Sequence, residues 1–219
     1  MDTALLFDLD GTLVDTEDTH FEAFREVFAG HGIELDRPAY TARIMGYPSQ
    51  SIAASFLPHL SPVDGMTLMA LKEEIYRGRV ATAAPTAGTH ELLDFADRQG
   101  VKYALVTNAP MANAIAVLDA VGLRQRFSAV ISADDLPHSK PHPLPYLTGL
   151  AALGATAARS IAFEDARSGA RSAVAARIPM VGVTSTLDAA SLLDLGAAIA
   201  VRDFADPAVL ELLKRQLRL

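Results

Sequence analysis

Cysteine and tryptophan are absent from this chain of 219 residues. Without cysteine there is no disulfide framework, no thiolate nucleophile and no zinc–thiolate centre. Long apolar runs are missing as well. The run at the N-terminus, Ala4-Leu5-Leu6-Phe7, has no basic segment before it and is soon interrupted by carboxylates at Asp8 and Asp10. That pattern fits neither a signal peptide nor a membrane span, so a cytoplasmic location is expected. Positive charge is in short supply too: 19 Lys and Arg face 26 Asp and Glu, for a formal charge of −7. An acidic chain disfavours nucleic acid and anionic membrane as partners. An anionic substrate would have to be met by a metal ion or by individually placed cations.

What is present is a chain that is 50% hydrophobic, without repeats, which suits one large domain or a domain with an insertion. Its organising stretch is Thr3–Asp15, TALLFDLDGTLVD. A short unbroken apolar run reads as a strand buried on both faces. It ends at Asp8, a second carboxylate follows at Asp10, and Gly11 permits a tight turn. Two carboxylates thus sit at the carboxyl end of a buried strand, the edge where open α/β sheets bind ligands. Like charges this close raise one another's pKa unless a cation or hydrogen bonds hold them ionised. Mg²⁺ favours such carboxylates together with phosphate oxygens. Taken alone, the same residues also fit a capped turn followed by an ordinary Asp-Gly turn.

The next strand pattern, Lys102–Val106, comes far beyond the dozen or so residues of a parallel crossover. The intervening chain reads as helical, with Phe21, Phe24, Val27 and Phe28 at helical spacing and Pro38, Pro48, Pro58 and Pro62 as punctuation. Residues 16–82 are therefore expected to form an inserted helical domain, with the aromatic stripe as its packed core. From Pro85 onward strand and helix alternate, with strands at 102–106, 129–132, 160–163 and 180–183 and a final helix at 207–217. The expected fold is α/β, a doubly wound, mostly parallel sheet formed by residues 1–15 and 83–219.

Three more polar signals fall at strand ends. Thr107-Asn108 offers a hydroxyl and backbone N–H groups to a phosphate, or forms a plain turn. Lys140-Pro141 offers a point charge suited to a phosphoryl group, or a solvated lysine. Glu164-Asp165 would complete a metal site with Asp8, or Asp165 caps the next helix. Gly169 permits close backbone approach there.

The run FDLDGTLVD, followed in order by Thr-Asn, Lys-Pro and Glu-Asp-x-x-x-Gly, resembles the four motifs of the haloacid dehalogenase superfamily over nearly the whole chain. An insertion after the first motif is where one subclass carries a helical cap. Within that subclass the chain is similar to phosphoglycolate phosphatases, small sugar-phosphate phosphatases and β-phosphoglucomutases. The resemblance implies a nucleophile at Asp8, a general acid/base at Asp10 and phosphate contacts from Thr107, the Asn108 N–H and Lys140. It also implies Mg²⁺ held by Asp8, the Asp10 carbonyl and Asp165, with Glu164 either a further ligand or a neighbour of the ligands. Ala166 departs from the pattern, standing where many relatives carry Ser. Asp10 argues against carbon–halogen chemistry, since true haloacid dehalogenases lack it.

Substrate choice falls to the cap, which the resemblance implies closes over the substrate. His20 and Lys72 are its candidates by resemblance. Arg43, Arg77, Arg79 and Lys72 itself otherwise read as solvated helix charge. β-Phosphoglucomutases carry an Arg shortly after the Gly of the second cap segment; here Gly46 is followed by Tyr47, Pro48, Ser49 and Gln50. The expected function is Mg²⁺-dependent hydrolysis of a small phosphorylated metabolite through an aspartyl phosphate, by a monomer or homodimer. The alternatives are a phosphosugar mutase and a catalytically silent binding or regulatory protein.

Overall fold

The computed structural model describes residues 2–45, 47 and 49–218, so Gly46 and Pro48, in the stretch compared above with β-phosphoglucomutases, lie outside the described residues. In chain order, β1 (Ala4–Phe7) precedes four helices: α1 (Glu17–Ala29), α2 (Arg37–Arg43), α3 (Ser49–Phe56) and α4 (Pro62–Arg79). Then come α5 (Thr89–Arg98), β2 (Lys102–Thr107), α6 (Met111–Ala120), β3 (Ala129–Ser132), α7 (Leu144–Leu153), β4 (Ser160–Glu164), α8 (Arg167–Ala175), β5 (Met180–Val183), α9 (Ala189–Asp194), β6 (Ile199–Val201) and α10 (Pro207–Leu217). These elements divide into two compact units, Met1–Asp15 with Ala83–Leu219, and Thr16–Thr82.

In the helical unit, Phe21, Phe24 and Phe28 of α1 share one stripe and bury against Tyr40, Ile52 and Met69. Phe28 stacks on Phe56 at 4.9 Å, and Phe21 meets Tyr40 edge-on at 5.4 Å. The helix starts are written locally. Asp36 accepts from the Ala39 N–H to cap α2, Ser61 accepts from the Asp64 N–H to cap α4, and a proline sits in the first turn of each.

The larger unit is a six-stranded sheet in the order β3-β2-β1-β4-β5-β6, with every pairing parallel. This is the doubly wound arrangement the alternation predicts. Its order reverses between β1 and β4, the switch point where such sheets open a crevice at the strands' carboxyl ends. β1 is buried along its whole length, as an unbroken apolar run requires. Alternate residues serve opposite faces. On one, Phe7 stacks on Phe163 at 4.5 Å and meets Phe204 edge-on. On the other, Leu6, Val106 and Ala162 pack beneath α7 and α8. The sequence pattern did not reveal β6 or α9: a three-residue strand is too short to show a period of two. Among the described residues no helix is long and apolar enough to cross a membrane.

Gly149 lets α7 sit low on the sheet. A Cβ there would lie 2.7 Å from Leu6 Cδ2 and 3.1 Å from Val106 Cγ2. Gly149→Val should therefore overpack this layer and lower stability by about 1–3 kcal/mol. Urea denaturation checks this, and an unchanged midpoint would show that α7 can lift without cost.

Candidate active site

The register of β1 places the first carboxylate. Phe7 pairs with Leu105 on one side and Phe163 on the other, and the Asp8 N–H donates to the Phe163 carbonyl at 3.0 Å. Asp8 thus emerges beside Glu164, the last residue of β4. Beyond Asp10 the chain turns through Gly11 at φ +78°, and the Leu9 carbonyl accepts from the Leu13 and Val14 N–H groups at 2.9 and 3.1 Å. A Cβ at Gly11 would fall 2.2 Å from Asp165 Oδ2, so this glycine serves both the turn and the approach of a carboxylate.

Lys140 reaches the same point from the loop after β3. Its Nζ lies 2.6 Å from Asp8 Oδ1 and 2.6 Å from Glu164 Oε1, and the side chain is buried. The reading of Lys140 as a solvated lysine is thereby set aside. Asn108 brackets the Lys140 backbone: its Nδ2 donates to the Lys140 carbonyl at 3.2 Å, and its Oδ1 accepts from the Lys140 N–H at 3.0 Å. Ser172 of α8 donates to the His142 carbonyl at 2.6 Å, fixing the far side of the loop. Thr107 is buried, its Oγ1 accepting from the Ala109 N–H at 2.9 Å, which leaves its own O–H as a donor.

Glu164 also accepts from the Tyr146 hydroxyl at 2.6 Å. Its carboxylate lies flat over Gly169, where a Cβ would stand 1.9–2.0 Å from both oxygens and the carboxyl carbon. Asp165 is held by hydroxyls: Thr12 Oγ1 donates to Oδ1 at 3.1 Å and Thr186 Oγ1 to Oδ2, while Ser185 Oγ, 3.3 Å from Oδ2, shares its one proton with the nearer Gly11 carbonyl. Three residues sequence reasoning missed are here. Ser185 and Thr186 follow β5 at the same sheet edge, a position that could have flagged them. Tyr146 carried no signal, because an aromatic residue on an apolar helix reads as core.

Oxygens of Asp8, Glu164 and Asp165 lie within 4.8 Å of one another. Three buried carboxylates facing one ammonium would, if all were ionised, leave the cluster two negative charges out of balance. Burial pushes the Asp8 carboxyl up, Lys140 opposes this, and Asp10 adds to it. Burial pushes Glu164 to about 8 against the pull of Lys140, with Asp8 adding to the rise. Asp165 rises to about 7 through burial and the Asp8 charge. Burial alone would lower Lys140, but Asp8 and Glu164 together outweigh it and keep it an ammonium. A hard oxygen donor set with unbalanced negative charge fits a divalent cation such as Mg²⁺.

The helical unit brings His20 and Lys72 together. Lys72 is buried rather than solvated: Nζ lies 2.8 Å from His20 Nδ1 and 3.0 Å from Glu73 Oε1, and 4.5 Å over the Phe24 ring. The aromatic face and the two polar partners compensate the desolvated ammonium, which the helical pattern of charge could not show. His20 stacks on Tyr76 at 4.0 Å. Arg43 donates to Ser55 Oγ at 2.8 Å, Arg79 pairs with Glu26, and both are exposed.

A family model described as haloacid dehalogenase-like hydrolase matches residues 5–183. A phosphorylated carbohydrates phosphatase of Thermotoga maritima is 30% identical over 203 residues, covering 91% of this chain and 94% of that protein. A fructose-1-phosphate phosphatase of Escherichia coli is 33% identical over 82% of this chain and 95% of its own length. The crystal structure of CbbY from Rhodobacter sphaeroides in complex with phosphate matches with a TM-score of 0.84 at 28% identity, over 96% of this chain and all of that one.

The raised carboxyls carry a stability consequence. Unfolded, Asp165 and Glu164 titrate near their ordinary values of 3.8 and 4.5; folded, near about 7 and 8. Between those limits the metal-free fold holds protons that the unfolded chain has released, so its stability falls as pH rises through the window. A divalent cation bound there would replace those protons. Saturating Mg²⁺, worth about 2.7 kcal/mol at a hundredfold excess over Kd, should raise the melting temperature more at about pH 8 than at about pH 5. EDTA should reverse the shift. Equal shifts at both pH values would contradict this reading of the cluster.

Proposed function

We propose that this chain, which belongs to the haloacid dehalogenase-like hydrolase family and is a phosphoric monoester hydrolase, removes phosphate from a small phosphorylated sugar or similar metabolite with Asp8 as nucleophile. The single observation that supports this most is the buried Lys140 ammonium, 2.6 Å from Asp8 Oδ1, beside carboxylates suited to a divalent cation. In the first step an Asp8 oxygen attacks phosphorus, and the bond from phosphorus to the substrate's alkoxide oxygen breaks. Asp10 gives that oxygen its proton. In the second step Asp10 takes a proton from water as the water attacks the aspartyl phosphate, releasing inorganic phosphate and restoring Asp8. Asp8, the Asp10 carbonyl and Asp165, with Glu164 as a further candidate, would hold Mg²⁺, which when bound would supply positive charge to offset repulsion between nucleophile and phosphate.

Lys140, Thr107 and the Asn108 N–H hold the equatorial phosphate oxygens as charge shifts in the transition state. Losing one such donor typically costs about a hundred- to a thousandfold in rate. The unit of Met1–Asp15 and Ala83–Leu219 serves as the catalytic domain and Thr16–Thr82 as the cap. Within the cap, the His20–Lys72 pair contributes to substrate choice. The relatives' activities on phosphorylated carbohydrates and fructose 1-phosphate favour a sugar phosphate.

Phosphate release from p-nitrophenyl phosphate and from a panel of sugar phosphates, with and without EDTA, tests this reading. Activity should require Mg²⁺, and Asp8→Asn should lose turnover by roughly a thousandfold or more while folding normally by circular dichroism. Full activity in EDTA would overturn the metal role, and retained turnover in Asp8→Asn would overturn the nucleophile. A silent panel would favour a binding protein on the same fold.

Lys72 supports a second reading, because a mutase must grip a second phosphate with a cation from its cap. This ammonium is already committed to His20 and Glu73, and the segment after Gly46 contains no Arg. Losing one charge-assisted phosphate contact changes partitioning by roughly ten- to a hundredfold. β-Glucose 1-phosphate with a glucose bisphosphate primer should therefore give mainly inorganic phosphate by phosphorus NMR. Glucose 6-phosphate as the main product would establish the mutase.

A further inference from the structure

Three features outside this machinery are candidates for a further role. His138 and His142 lie 4.5 Å apart, ring to ring, on the exposed loop around Lys140. His142 Nδ1, however, accepts from the Leu144 N–H at 3.1 Å, so its other nitrogen carries the proton and is not poised to ligate a metal. An apolar groove along α3 and α4, lined by Ala53, Leu57, Leu60 and Met66, has nothing to define its occupant. The third is Tyr146, a buried phenol that the mechanism above leaves without a role.

We propose that Tyr146 is a positioning residue of the reaction: its hydroxyl fixes the Glu164 carboxylate so that Glu164 holds the Lys140 ammonium against Asp8. The proposal rests on the phosphatase reading of the site. Tyr146 is fully buried on α7, and its O–H donates to Glu164 Oε1 at 2.6 Å. Lys140 Nζ donates to the same oxygen, also at 2.6 Å. One carboxylate oxygen therefore takes two strong donors from opposite partners. The terminal torsion of a glutamate is broad and poorly self-defined. Here Gly169 bounds the carboxylate from below, and the two donors select which oxygen faces Lys140. Tyr146 also meets Lys140 directly, with Nζ 5.1 Å from the ring centroid. Gly149, one turn along α7, lets the helix approach the sheet closely enough for the phenol to reach. The phenol thus acts on the nucleophile through two intermediates, Glu164 and Lys140, without needing to touch substrate.

Tyr146→Phe isolates the hydroxyl, because the ring, its packing and its contact with Lys140 remain. Two readouts are needed. In the Mg²⁺-loaded enzyme, kcat on p-nitrophenyl phosphate should fall by roughly 5- to 30-fold, the scale of one lost positioning hydrogen bond. The melting temperature should fall by only a few degrees, the scale of one hydrogen bond to a buried carboxylate with the ring packing kept. In metal-free, ¹⁵N-labelled protein, the Lys140 ammonium should give a proton-detected cross-peak, assigned by its loss in Lys140→Arg. In Tyr146→Phe that peak should shift or broaden, which loss of packing elsewhere would not cause. A kcat within twofold of wild type overturns the proposal, as does an unmoved ammonium peak or a wild-type ammonium too loosely held to give one. If wild type itself hydrolyses nothing, the phosphatase reading fails, while the ammonium peak still decides whether Tyr146 holds Lys140 through Glu164.

Discussion

One ammonium shared between two buried carboxylates sets the terms for this protein. Lys140 touches Asp8 and Glu164 at hydrogen-bond distance with almost no access to water. Desolvating charges costs several kcal/mol each, and such a cluster survives only where geometry and extra hydrogen bonds repay it. The surroundings show those repayments. Asn108 pins the backbone of the lysine, Ser172 anchors its loop, Tyr146 supplies a second donor to Glu164, and the Thr12 and Thr186 hydroxyls donate to Asp165. The compensation remains incomplete within the protein, since the carboxylates outnumber the cation. Such an imbalance fits a divalent cation.

The sheet order explains why these groups meet. β1 lies between β2 and β4, and the chain leaves each strand at the same edge. Asp8 and Asp10 follow β1, Thr107 and Asn108 close β2, and Glu164 and Asp165 close β4. The loop after β3 reaches across to deliver Lys140. Glycines at 11, 149 and 169 remove side chains where carboxylates or a helix must come close. Position by position, the polar groups sit where strand hydrogen bonding ends and backbone and side-chain groups become available for a ligand.

The fold and the polar strand ends were legible because they depend on local pattern. A buried strand followed by carboxylates announces both its burial and the functional edge, and alternating periods announce a doubly wound sheet. Ordered motifs then pointed to the family. What stayed hidden depends on contacts across long sequence separations. Tyr146 meets Glu164 only because α7 packs against the sheet. Ser185 and Thr186 meet Asp165 only because β5 lies beside β4. Lys72 looked solvated because no helical pattern reveals an ammonium paired with a histidine and covered by an aromatic ring.

The central claim is that Asp8, held by Lys140, takes the phosphoryl group covalently before water does. Asp10→Asn with p-nitrophenyl phosphate tests it most directly. p-Nitrophenolate is a good leaving group and needs no proton, so the variant should still transfer phosphate to Asp8, whereas release of that phosphate needs the Asp10 base. Rapid-quench mass spectrometry should then show one added phosphoryl group per chain, on the peptide containing Asp8, together with a burst of one p-nitrophenolate. A burst without that label, or a label on any other residue, would contradict the account.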